Sequence, residues 1–175
     1  MFPTFIIIIF IDFVEEIFCG TVPQSEVDAL WDLYNSTDGV NWLWRPQSFG
    51  EIWNFTSSSV NPCEPIWQGL NCSLPTNECH ITIIILPLYG LNGTIPSSLG
   101  LLSSLQYLHL NNNQLSSTIP SSLGLLSSLQ YLYLYNNQLS STIPSSLGLL
   151  SSLQYLFLYN NQLSSTIPSS LGLLS

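Results

Sequence analysis

Residues 105–128 read LQYLHLNNNQLSSTIPSSLGLLSS, residues 129–152 read LQYLYLYNNQLSSTIPSSLGLLSS, and residues 153–175 read LQYLFLYNNQLSSTIPSSLGLLS. The three stretches differ at two places only, His109/Tyr133/Phe157 and Asn111/Tyr135/Tyr159. A more divergent copy over 81–104 precedes them, so the chain repeats every 24 residues from Ile81 onward. In YLHL the apolar positions alternate, which puts Leu108 and Leu110 on one side of a short strand and Tyr107 and His109 on the other. A single unit has only its neighbours to bury those leucines against, so consecutive units must stack.

Within each unit leucine recurs as L-x-x-L-x-L-x-x-N-x-L, seen in Leu105, Leu108, Leu110, Asn113 and Leu115. That is the leucine-rich-repeat pattern, and three near-identical consecutive matches make it specific. The fold class expected is α/β: a leucine-rich-repeat solenoid with a concave parallel β-sheet. Asn113, Asn137 and Asn161 fall at the turn leaving each strand, where buried amides would satisfy backbone groups of adjacent coils. The two variable places lie on the outward, concave side. Stacked coils would line them up in columns with a rung every ~4.8 Å, beside a third column of Tyr107, Tyr131 and Tyr155. The candidate ligand-binding set is therefore Tyr107, His109, Asn111, Tyr131, Tyr133, Tyr135, Tyr155, Phe157 and Tyr159. Contiguous exposed aromatics mark binding surfaces, and Tyr buries area there while keeping a hydroxyl. Recent duplication with neutral drift of unrestrained outward positions would leave a similar pattern.

Composition narrows the function classes. Lys and Arg together number one, Arg45, against ten Asp and Glu, for a formal net charge of −9. Such a chain does not bind a phosphate backbone, which excludes nucleic acid as a partner. All ten acids lie between Asp12 and Glu78, and none follows Cys79. Their simplest use is a solvated surface. His80 and His109 have no carboxylate in their own half of the chain, and no phosphate loop, zinc motif or paired glycosidase carboxylates are visible. The chain is read as non-enzymatic, with no cofactor. A Cys3His zinc site using His80 is disfavoured, because adjacent Cys79 and His80 have difficulty addressing one metal.

The first segment, MFPTFIIIIFIDFVEEIFCG, has an apolar run from Phe5 to Ile11 followed by small residues, and residues 1–20 are read as a secretory signal peptide. Neither this run nor ITIIILPL at Ile81 approaches the ~20 apolar residues that span a membrane. Residues 21–80 form an N-terminal cap. Val27, Leu30, Trp31 and Tyr34 recur at helical spacing, and Ser25 with Asp28 resembles a capping box, so a helix should start near Ser25 and stop before Asp38-Gly39. Trp42, Trp44, Trp53 and Trp67 follow in a segment rich in Pro and Gly. Wedging into a small irregular core suits them better than stacking on a ligand. Cys19, Cys63, Cys72 and Cys79 fit an oxidising compartment. Their spacing allows one bridge with a thiol left over, or a second bridge to Cys19 if it is retained. Four N-x-S/T sequons, at Asn35, Asn54, Asn71 and Asn92, are the candidate glycosylation sites. Residues 81–175 make four 24-residue repeats that stop at SSLGLLS without a C-terminal cap, so the chain is expected to be a fragment of a longer parent.

The stretch LNGTIPSSLGLLSSLQYLHLNNNQL resembles the plant-type repeat L-x-x-L-x-x-L-x-L-x-x-N-x-L-x-G-x-I-P-x-x-L-G, and PCEPIWQGLNC after ALWDLYNSTDGVNW is similar to the N-terminal cap of the same family. The resemblance runs from about Ser25 to the end. It takes in receptor-like kinase ectodomains, receptor-like proteins and secreted polygalacturonase inhibitors. It implies a binding scaffold, secreted or on the extracellular face of the plasma membrane, with a Cys63–Cys72 bridge. It also implies a protein, peptide or glycan ligand and a co-receptor as partners. Two departures stand out: the family's Gly after the Leu survives only as Gly93 and becomes Ser117, Ser141 and Ser165, and Tyr89 takes the first coil's Asn place. A secreted enzyme inhibitor, or an ice- or surface-binding protein using the regular column of Thr94, Thr118, Thr142 and Thr166, is the alternative reading.

Overall fold

The computed structural model describes residues 19–57, 60–73 and 78–174. The segment read as a signal peptide lies outside the described residues except for Cys19 and Gly20, and these two go with the cap. Cys19 is bonded to Cys79, and its carbonyl accepts from Asn61 Nδ2 at 3.3 Å. Cys63 is bonded to Cys72.

The cap opens with a helix, α1 (Gln24–Ser36). Its buried side is Glu26, Val27, Ala29, Leu30 and Leu33, which keeps Val27 and Leu30 of the expected face inside but leaves Trp31 43% exposed. The reason is Glu26. Its Oε1 lies 2.7 Å from His80 Nδ1 and its Oε2 accepts from the Ile81 N–H at 2.8 Å, so a buried carboxylate pins the helix to the start of the first coil. The acids of the cap are thus not all solvated. The expected capping box is also absent: the N-cap is Pro23, whose fixed φ suits a helix start, and Asp28 Oδ1 instead accepts from Gln24 Nε2. Trp42, Trp53 and Trp67 are buried, and with Trp44, Tyr34 and Phe55 they form one edge-to-face aromatic cluster. Trp42 Nε1 donates to Thr37 O and Trp53 Nε1 to Gln68 O, so the rings wedge the cap without orphaning their polar ends.

Nine strands follow among the described residues: β1 (Leu70–Cys72), β2 (Ile81–Ile85), β3 (Asn92–Thr94), β4 (Tyr107–His109), β5 (Gln114–Ser117), β6 (Tyr131–Tyr133), β7 (Gln138–Ser141), β8 (Tyr155–Phe157) and β9 (Gln162–Leu163). They form two sheets. One has the order β1-β2-β4-β6-β8, parallel throughout except for the antiparallel β1–β2 pair; the other has the order β3-β5-β7-β9. Register is strict, with Tyr107 opposite Tyr131 and Tyr131 opposite Tyr155. Between the sheets the inward leucines are fully buried, as at Leu105, Leu108, Leu110, Leu115, Leu123 and Leu126, whereas Leu101, Leu125 and Leu149 on the 3-10 turns are exposed. Each buried leucine contributes roughly 1.5–3 kcal/mol of transfer free energy. Burial relaxes in the fourth unit, where Leu156, Leu158 and Leu163 are half-buried.

Short 3-10 turns, Ser97–Leu101, Ser121–Leu125, Ser145–Leu149 and Ser169–Leu173, complete the coils. Adjacent turns approach backbone to backbone. A Cβ on Gly100 would stand 2.5 Å from Ser122 O, and Ser122, Ser146 and Ser170 each donate a hydroxyl to the turn before, at 2.6–2.7 Å. Ser117, Ser141 and Ser165 take the left-handed conformation at φ 67°, 68° and 72°. Gly93, at the same place, cannot be replaced so freely, because a Cβ there would strike Ser36 O at the end of α1. The family glycine persists where the cap helix crowds the turn and is exchanged for serine where nothing does.

Candidate functional site

The outward side chains of β4, β6 and β8 stand in columns. Tyr107, Tyr131 and Tyr155 stack with centroids 4.6 and 5.0 Å apart and planes 6° and 11° from parallel. His109, Tyr133 and Phe157 stack at 4.1 and 4.7 Å, and Tyr135 on Tyr159 at 4.6 Å. Between columns the rings meet edge to face. The structure thus brings eight of the nine candidate residues into one sheet of rings. Asn111 is the exception: it adds no ring, and at 5% exposure it offers little accessible surface.

Stacking fixes what the rings present. Between neighbouring rungs the ring faces cover one another, while the last rung, Tyr155, Phe157 and Tyr159, stays 46%, 38% and 55% exposed. The electropositive ring edges and the phenol groups suit carbonyl oxygens, amides and other rings. Burial pushes the Tyr133 phenol above its usual value, helped by the neighbouring tyrosines Tyr131, Tyr155 and Tyr135. It pushes the His109 imidazole below its usual value. His109 Nε2 is buried with no hydrogen-bond partner among the described residues, and the ring stacks on Tyr133.

Behind the columns run two series of amides. Asn137 Nδ2 donates to Leu110 O and Leu134 O, and its Oδ1 accepts from the Leu115 N–H; Asn113 and Asn161 do the same one coil away on either side. Tyr89 cannot play this part in the first coil. It faces the cap instead, with its ring against Trp44 and under the Arg45 guanidinium. The second series is Asn112, Asn136 and Asn160, at φ 57°, 54° and 53°, joined by Asn136 Nδ2 to Asn112 Oδ1 at 2.6 Å and Asn160 Nδ2 to Asn136 Oδ1 at 2.7 Å. Sequence reasoning missed this series, although its signal was available: asparagine is among the few L residues that enter the left-handed region readily.

The four sequon asparagines, Asn35, Asn54, Asn71 and Asn92, are exposed. So are Thr94, Thr118, Thr142 and Thr166. Among the described residues no group of three or more His, Cys, Asp or Glu is placed to hold a metal, and no helix is long and apolar enough to cross a membrane.

These features agree with known proteins. The leucine-rich-repeat family model matches residues 103–163. A probable leucine-rich repeat receptor-like serine/threonine-protein kinase of Arabidopsis thaliana is 34% identical over 125 residues, covering 63% of this chain and 11% of that protein. The solved ectodomain of the receptor kinase SOBIR1 from Arabidopsis thaliana superposes with a TM-score of 0.67 at 30% identity, over 88% of this chain and 77% of that one. The ectodomain of the plant membrane receptor kinase GASSHO1/SCHENGEN3 from Arabidopsis thaliana, solved in complex with CASPARIAN STRIP INTEGRITY FACTOR 2, gives 0.71 at 31% identity, over 85% of this chain and 17% of that one. The fold is that of a leucine-rich-repeat ectodomain. The chain belongs to the plant leucine-rich-repeat family, and resembles the ectodomains of its receptor-like members. It spans 9–12% of the length of the curated relatives it matches.

Proposed function

We propose that this chain is an extracellular recognition module of a receptor-like protein, and that its aromatic face holds an extended peptide or protein segment. The observation that supports this best is the in-register stacking of Tyr107/Tyr131/Tyr155, His109/Tyr133/Phe157 and Tyr135/Tyr159. A glycan would need free ring faces to stack on, and inside these columns the faces are used up. A polypeptide offers carbonyls, amides and side-chain rings to the edges and hydroxyls that remain. The related GASSHO1/SCHENGEN3 ectodomain is solved with a bound factor, which is in keeping with a ligand-holding role. Two bridges, Cys19–Cys79 and Cys63–Cys72, and four exposed sequons suit an oxidising, secretory route. A co-receptor is the further partner such a module would engage.

The test is selection of a random peptide library on the immobilised chain, followed by titration of enriched peptides against the Tyr135→Ala/Tyr159→Ala double variant. A loss of ~1–3 kcal/mol in binding is expected, as for central aromatic anchors, with the fold retained. Peptides that bind wild type and double variant equally would refute the assignment.

A further inference from the structure

The one arginine of this acidic chain is built into a cleft. Its backbone is held from both sides by Gln68, which is fully buried: the Arg45 N–H donates to Gln68 Oε1 at 3.0 Å and Gln68 Nε2 donates to Arg45 O at 2.9 Å. Its guanidinium donates through Nη2 to Pro87 O at 3.1 Å and lies 5.1 Å over the Tyr89 ring and 5.9 Å from that of Phe49. Of the five N–H donors a guanidinium carries, only the one to Pro87 and a contact with the Tyr89 hydroxyl are accounted for, and Arg45 forms no ion pair among the described residues.

The hollow beside it has a physical origin. Along the ladder face, Ile83 stands opposite Tyr107 and Ile85 opposite His109, so the columns of rings step down to shorter aliphatic side chains in the first coil. The cap does not fill the step. At Gly69, φ 75°, its backbone comes so near β2 that a Cβ would stand 2.5 Å from Ile85 O, and no side chain projects there. What remains is a cleft of about 450 Å3 floored by Leu70, Ile83 and Ile85 and walled by Phe49 and Arg45. Its size and mostly apolar lining, with one fixed charge, are those of a small-ligand site.

We propose that this cleft binds a small carboxylate with an apolar body, the carboxylate on the free N–H groups of Arg45 and the body over Ile83 and Ile85. The planar fork of a guanidinium pairs with a carboxylate through two parallel bonds. Prior fixation by Gln68 and Pro87 removes the ordering cost that a free arginine would bring. The chain's formal net charge of −9 opposes casual anion binding, which makes a single built cation selective. The site is separate from the ring columns and stands or falls independently of them.

The experiment titrates phenylacetate into the full chain, followed by amide chemical shifts, with neutral phenylacetamide as the comparison. Saturable shifts confined to Gly69, Asn71 and Ile83–Tyr89 are expected, with phenylacetamide at least tenfold weaker. Arg45→Gln should weaken phenylacetate at least tenfold. Ile83→Trp keeps the arginine but fills the hollow and should abolish binding, which covers the case in which loss of Arg45 loosens the cap. The Tyr135→Ala/Tyr159→Ala variant should bind phenylacetate like wild type. Equal affinity for acid and amide, binding unchanged by Ile83→Trp, or no saturable shifts at these residues would overturn the proposal.

Discussion

Asn137 makes a demanding test of how the coils are joined. Its side chain is 9% exposed and joins backbone groups of two coils, among them the Leu115 N–H at 3.0 Å, Leu110 O at 3.0 Å and Leu134 O at 3.1 Å. Asn137→Ala orphans the Leu115 N–H in a dry interior that water cannot easily reach, whereas Leu110 O keeps Asn113 Nδ2 and Leu134 O keeps Asn161 Nδ2. An orphaned buried N–H costs roughly 1–3 kcal/mol, and about 2 kcal/mol is the expected loss. For a chain of this size that is a fall in Tm of roughly 4–8 °C. Thermal unfolding by circular dichroism measures it, with exposed Gln138→Ala as a control expected to stay within about 0.5 kcal/mol. Asn137→Asp should be as harmful at neutral pH, since a carboxylate can accept from Leu115 but faces the two carbonyls without a hydrogen to give. If Asn137→Ala costs under about 1 kcal/mol, the amide is not the joint described here.

Three further outcomes follow from the same geometry. Because burial lowers the His109 pKa, its contribution is complete above the unfolded value near 6.5 and is lost as pH falls through that value toward the folded one; Tm of wild type should therefore drop relative to His109→Tyr between pH 7.5 and pH 5, and parallel profiles would contradict the assignment. Ser141→Gly should raise stability by about 0.5–1 kcal/mol, the left-handed strain of a serine at φ 68° outweighing glycine's greater freedom when unfolded. Gly124→Ala should cost about 1–3 kcal/mol by overpacking against the Ser146 backbone, and hydrogen exchange should quicken in the turns Ser121–Leu125 and Ser145–Leu149.

The repeats were legible because their physics is periodic. A two-residue alternation decides which of Leu108 and His109 is inside, a 24-residue period fixes register, and the coil-joining role of Asn113, Asn137 and Asn161 follows from their place after the strand, although only Asn137 is buried. The cap was legible only in kind. The face of α1 is set by Glu26, whose partners His80 and Ile81 lie 54 and 55 residues on, and no local spacing announces a contact of that range. The buried Gln68 that positions Arg45 is equally invisible, since a glutamine in an irregular segment ordinarily reads as surface. Asn111 shows the converse limit. Its position points outward by alternation, yet it is only 5% exposed, which periodicity does not carry.

Across the coil junctions the asparagine Nδ2 groups all donate backward, and the backbone N–H groups of Leu91, Leu115 and Leu139 donate forward to the next asparagine. Asn136 donates to Asn112 and Asn160 to Asn136, while Asn137 reaches back to Leu110 and Asn161 to Leu134. Every unit therefore arrives carrying the groups its predecessor lacks and leaves an identical need for its successor. Copying 24 residues from within 105–152 would create a junction chemically the same as those already present, so recombination can lengthen the gene in frame without inventing a new fit. Array length then becomes a trait that drifts cheaply, and each added copy widens the ring-bearing face by one rung whose two variable residues are free to diverge. The near-identity of the three copies, broken only at His109/Tyr133/Phe157 and Asn111/Tyr135/Tyr159, is what such a history leaves in a sequence.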